Sequence, residues 1–210
     1  MHAKVYYPSK DPGGGQIACG GPFPAVVYTH GRRNPNWALC PGWSNPGPVH
    51  QDYRQADGIL SRLAAAGIIV ISVDNSWGWV DPSARGSIVI NTLAYLRDQN
   101  QPGGWLEGSV DLQRVGLSGH SLGGAAAVYA AVEYRNPPFD ALNLSNVQIQ
   151  ALGVIAPGWC RAFGSPPDGV PMLVIHGTNE HIIQVGDTPV ELYGEGNGPK
   201  HLVVVKELMV

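Results

Sequence analysis

The chain has 210 residues, 44% apolar and 14% charged, with a formal net charge of −3, which is enough material for a sizeable core in one domain. No run approaches the roughly eighteen apolar residues of a membrane-spanning helix, and Arg32-Arg33 is the only adjacent basic pair, so neither nucleic acid nor an anionic membrane is an expected partner. The 28 glycines and 18 prolines point instead to many tight turns.

The chain opens "MHAKVYYPSK" and passes almost directly into strand-like alternation, with no cleavable apolar leader. Localisation stays open, a secreted origin included if a leader has been removed. β-Branched runs predict strands over 3–7, 25–30 and 68–73, with a helix over 52–67 between the last two. That helix sets Ala56, Ile59, Leu60 and Leu63 at helical spacing, with Asp52 near its start and Gly67 at its end. A second helix over 84–97 turns Ile88, Leu93 and Leu96 to the core; a strand over 114–118 and a helix over 121–134 follow. Three more strands are expected at 149–155, 172–176 and 202–205. The middle strands are almost continuously apolar, as parallel strands covered on both faces should be. The alternation of strand and helix implies an α/β fold, a three-layer sandwich around a mostly parallel sheet. Segments 30–49, 75–84, 118–121, 157–171 and 177–188 leave the carboxyl ends of strands, where such sheets form their ligand crevice.

Three cysteines cannot all pair within one chain. Cys19 and Cys40 forming one bridge with Cys160 free, or three ordinary thiols, are both open readings. No C-x-x-C or H-E-x-x-H spacing suggests a metal site.

The chemistry concentrates in "GHSLGG", Gly119 to Gly124, a G-x-S-x-G pattern between an apolar strand and an Ala-rich helix. Small flanking residues permit a sharp turn that presents the Ser121 hydroxyl, with the Leu122 N–H at the helix start ready to donate to a developing oxyanion. A helix-capping serine is the plainer alternative, but it leaves the surrounding glycines without a purpose.

At this point the chain resembles the α/β-hydrolase family. "PAVVYTHGRR" is similar to the family's oxyanion strand and loop, "VDLQRVGLSGHSLGGAAA" to its nucleophile strand and helix, and "GVPMLVIHGTNEHII" to the strand before its catalytic acid. The likeness is closest to the cutinase-like polyester hydrolases and to esterases of the dienelactone-hydrolase and platelet-activating-factor-acetylhydrolase type. It implies a single α/β-hydrolase domain over 1–210, Ser121 as nucleophile, and backbone N–H groups of Arg32 and Leu122 as the oxyanion hole. The imidazoles of His30 and His120 are expected to be structural.

The resemblance places the acid at Glu180, with Asp187 in reserve; Asp74 precedes the serine and breaks the family order of serine, acid, histidine. That order leaves His181, which adjoins the acid, and His201 as the only bases within the chain. His201 lies before the strand 202–205 rather than beyond it, a displacement of roughly 15 Å at strand rise, and a proton acceptor must lie about 3 Å from the nucleophile. The last residues, "KELMV", stand where the family would present its histidine, and the family's first antiparallel strand has no counterpart. Two accounts fit: a version of a longer hydrolase trimmed at both ends, which the reach argument favours, or a compact divergent enzyme that recruits His201 by another route.

Between the strands 149–155 and 172–176 the stretch after "VIAPG", Trp159 to Pro171, is only about a dozen residues, leaving no room for a large lid and predicting a shallow, open crevice. By resemblance Trp159 forms an aromatic wall of the acyl pocket, while Trp77 and Trp79 either line its edge or bury their rings in the loop. The expected substrate is a neutral carboxylic ester, small or polymeric, cleaved by a monomer through an acyl-enzyme without metal or redox cofactor. The rival is a catalytically impaired hydrolase domain with a scaffold or binding role.

Overall fold

Seven strands make one sheet in the computed structural model, which describes residues 2–11, 14–31, 52–54, 56–75, 81–158, 165–179 and 188–207. They are β1 (Ala3–Tyr6), β2 (Phe23–Thr29), β3 (Ile69–Val73), β4 (Val110–His120), β5 (Ile149–Ile155), β6 (Met172–Gly177) and β7 (Lys200–Val205), in the spatial order β1-β3-β2-β4-β5-β6-β7. β1 runs antiparallel to β3, and every other neighbouring pair is parallel. The helices are α1 (Asp57–Ala65), α2 (Pro82–Gln99), α3 (Leu122–Glu133) and α4 (Thr188–Glu195).

Alternation along the strands explains the layers. Ala25 and Val27 of β2, with Ile69, Ile71 and Val73 of β3, join the core beneath α2 and α3, whereas Tyr28 and Val70 pack with Leu60 and Ala64 of α1. Side chains two apart share a face, so one apolar run serves both helical layers. All five residues of β3 are consequently buried. The α/β sandwich anticipated from the sequence is the fold observed.

Several boundaries differ for physical reasons. The helix expected from 52 starts at Asp57; Asp52–Arg54 is a separate 3-10 turn, and Ala56 at the N-cap gives no side-chain cap. The buried stripe is Leu60 and Ala64, four apart, which swings the adjacent Ile59 out to 59% exposure. β4 reaches back to Val110 because the Asn100 side chain pairs with both backbone groups of that residue, each at 2.9 Å. Among the described residues no helix is long and apolar enough to cross a membrane. Cys19 is an exposed free thiol; Cys40 and Cys160, the other two cysteines, lie outside the described residues.

Asp57 ties α1 to the edge strand. It accepts from Lys4 Nζ at 2.6 Å and from the Tyr6 hydroxyl. Its slight burial would raise its carboxyl, but the hydrogen bonds from Lys4 and Tyr6 and the Lys4 charge outweigh that and hold it below the usual range. A depressed carboxylate stabilises the fold fully above the unfolded value of about 4 and loses that contribution as pH falls through the lower folded value. Asp57→Asn is therefore expected to cost under about 1 kcal/mol near neutrality, as surface pairs do, and thermal melts should show the gap closing as pH drops below about 4.

Candidate active site

β4 ends at His120 and α3 begins at Leu122, so a single residue, Ser121, turns the chain from strand to helix. It does so at φ 54° and ψ −127°, a region that residues with a Cβ seldom occupy. Such strain costs on the order of 1–3 kcal/mol and survives only where the surroundings over-determine it. Here the Ser121 N–H donates to the Ile155 carbonyl at 2.9 Å, and the Ser121 carbonyl accepts from Gly124 at 2.8 Å and Gly158 at 3.0 Å.

The flanking glycines are required by space. A Cβ at Gly119 would stand 2.2 Å from the Gly123 carbonyl oxygen, and one at Gly123 would stand 2.2 Å from the Thr29 oxygen. Ala125, Ala126 and Ala127 are completely buried and bring α3 down onto the sheet. The pattern G-x-S-x-G is thus what lets strand, helix and the end of β2 approach so closely.

The parallel register brings the carboxyl ends of β2, β3, β4 and β5 to one edge. Gly31 abuts the serine turn: a Cβ there would lie 2.9 Å from both the Ser121 Cβ and the His120 Nδ1. Behind it lies a buried polar cluster. The Asn75 N–H donates to His30 Nε2 at 2.9 Å, the other ring nitrogen of His30 lies 2.6 Å from the Gly31 carbonyl, and Asp74 Oδ1 sits 3.6 Å from Nε2. Arg85 Nη1 donates to the His30 carbonyl at 3.1 Å, and Asn75 Nδ2 donates to Thr29 Oγ1. Both His30 nitrogens are engaged by backbone groups, so this imidazole is not disposed to take a proton from Ser121.

Arg85 carries no motif, although its spacing is a signal. It shares the helical spacing of Val89, Leu93 and Leu96, all fully buried, so a cation stands in the apolar stripe of α2 at 2% exposure. Buried arginines are rare unless their donors are used.

His201 is the second residue of β7 and pairs with Leu173, which is in register with Gly153 and through it with Ser118. Three strand spacings therefore separate it sideways from β4, about 14 Å, and three residues of rise, about 10 Å, separate its level from that of Ser121. The structure does not bring His201 to the serine. Arg32, Trp77, Trp79, Trp159, Glu180, His181 and Asp187 lie outside the described residues.

A model of the PET hydrolase-like family, also called PETase, matches residues 46–200, well over half the chain. The chain belongs to the PET hydrolase-like family. A bis(hydroxyethyl) terephthalate hydrolase from Streptomyces coelicolor is 33% identical over 70 residues, which are 33% of this chain and 21% of that protein. The alignment thus spans about a fifth of that relative's length. For this PET hydrolase-like chain the polyester side of the expected resemblance is the one supported; neither finding points to the dienelactone-hydrolase or platelet-activating-factor-acetylhydrolase type.

Proposed function

We propose that residues 1–210 form a serine hydrolase domain cleaving carboxylic esters of the aromatic polyester class, including small terephthalate esters. The observation that carries this reading is Ser121 strained between β4 and α3 in a chain of PET hydrolase-like type. A nucleophile on such a turn projects its hydroxyl above the sheet, beside the first amides of the following helix, which lie outside the intrahelical hydrogen-bond ladder. Ser121 gives its hydroxyl proton to a histidine base as its oxygen attacks the ester carbonyl, the N–H groups of Leu122 and Arg32 receive the oxyanion, the proton passes to the departing alcohol, and water hydrolyses the acyl-enzyme. Glu180 is proposed as the acid that orients the base. The register of β7 argues against His201 as that base. Trp159 and Trp77 are proposed to contact the aromatic acyl group, and the domain acts as a monomer without metal or redox cofactor.

The remoteness of His201 also favours a second reading, an impaired domain that binds rather than cleaves. A fluorophosphonate probe separates the two. Stoichiometric labelling localised to Ser121 by peptide mass mapping, with release of product from bis(hydroxyethyl) terephthalate, is expected for the hydrolase. A folded protein that takes no label would instead support the binding module.

A further inference from the structure

We propose that Arg85 and His30 are positioning residues that clamp the backbone at Gly31 against the serine turn and so hold Ser121 and the Leu122 amide in place for the reacting carbonyl. This deepens the hydrolase reading and rests on it. The Gly31 backbone packs directly on the serine turn, with no room for a Cβ between it and Ser121, so whatever fixes the His30 and Gly31 carbonyls fixes the wall against which Ser121 stands.

Two side chains hold this stretch from behind. Arg85, from the first turns of α2, donates to the His30 carbonyl at 3.1 Å and fixes the peptide ahead of Gly31. His30 reaches forward to the Gly31 carbonyl at 2.6 Å and fixes that group as well. The proton on this ring can be located by elimination. The Asn75 amide at 2.9 Å can only donate, so Nε2 is the acceptor and Nδ1 carries the hydrogen toward Gly31. Asp74 Oδ1, 3.6 Å from Nε2, is too distant to accept a hydrogen bond from that nitrogen. The Asn75 backbone, at the end of the fully buried β3, thereby selects the tautomer that the clamp needs.

From the front the same stretch is pressed against the serine turn, since Gly31 has no room for a Cβ beside Ser121 and the Thr29 and His30 carbonyls leave none at Gly123. Backbone held on both sides cannot drift when the substrate oxygen becomes charged, and that preorganisation is what makes an oxyanion donor effective. A cation buried to 2% exposure beneath the crevice thus has a use that packing alone would not require.

The test uses His30→Leu and Arg85→Met, which remove the hydrogen bonds at similar volume, and Arg85→Lys, which keeps a donor. In the parent, nitrogen NMR of the His30 ring is expected to show hydrogen on Nδ1. In Arg85→Met and His30→Leu the rate of fluorophosphonate labelling and kcat for a p-nitrophenyl ester are expected to fall about a hundredfold, the scale of losing or misplacing one oxyanion donor. KM should change less than threefold, and Arg85→Lys should recover part of the loss. Folded variants that react as fast as the parent overturn the clamp, as does hydrogen on Nε2 in the parent. If the folded parent takes no label, the nucleophile reading fails, and the ring tautomer alone then decides the clamp.

Discussion

Ser121→Ala is expected to abolish fluorophosphonate labelling and to lower ester turnover by roughly four or more orders of magnitude, to what binding and the oxyanion donors alone sustain. Labelling needs the serine oxygen to form the new bond, so its loss is complete rather than partial. Alanine can keep the strained backbone at φ 54° no less well than serine, because both carry a Cβ, and the fold should be unaffected by circular dichroism. The informative companion is His201→Ala. Nucleophile and base of a triad act as a unit, and removing the base alone costs roughly four or more orders of magnitude, about as much as removing the nucleophile in the studied cases. If His201 were the base, its alanine variant would fall to the level of Ser121→Ala. With His201 three strands from β4 and paired to Leu173, the expected result is turnover and labelling equal to those of the parent. A collapse of both in a folded His201→Ala protein would make His201 the base and overturn the argument from the register of β7.

Much of the architecture could be read directly from the chain because its signals are local. The strands 149–155 and 172–176 announce themselves as short β-branched runs, and the structure places β5 at Ile149–Ile155 and β6 at Met172–Gly177. Their parallel pairing follows from the lack of a polar face. Where a boundary depended on a distant partner, the sequence was silent. The extension of β4 to Val110 needs Asn100 from the end of α2, and the start of α1 at Asp57 coincides with contacts to Lys4 and Tyr6 more than fifty residues earlier. The same division runs through the site. Ser121 and its glycines lie within six consecutive residues and form a motif, whereas His30, Asn75 and Arg85 meet only when β2, β3 and α2 converge. No spacing rule connects those three. A cation in the buried stripe of α2 was the one trace they left.

The tightest of these convergences makes Gly123→Ala a severe substitution where helix propensity alone would predict a gain. In the first turns of a helix, alanine is favoured over glycine by up to about 1 kcal/mol. Against that, the new Cβ would stand 2.2 Å from the Thr29 carbonyl oxygen and 2.6 Å from that of His30. Both obstacles are backbone at the end of β2, a central strand paired on each side, so no side-chain rotation relieves them. Relief requires β2 and α3 to separate by about 1 Å, and overpacking of this kind costs roughly 1–3 kcal/mol or more, which exceeds the propensity gain. The displacement falls between Ser121 and Gly31, where a shift of about 1 Å can cost a hundredfold in rate. Gly123→Ala is thus expected to lower the unfolding midpoint and, in the folded fraction, to cut labelling of Ser121 about a hundredfold. Gly153→Ala is the matched control, because a Cβ there meets only the Ser118 side chain, Oγ at 3.6 Å and Cβ at 3.9 Å, both ordinary contacts. Its stability should stay within about 0.5 kcal/mol of the parent, with labelling unchanged. If Gly123→Ala behaves like this control in melts and labelling alike, the close approach of β2 to the serine turn is not a constraint on the site.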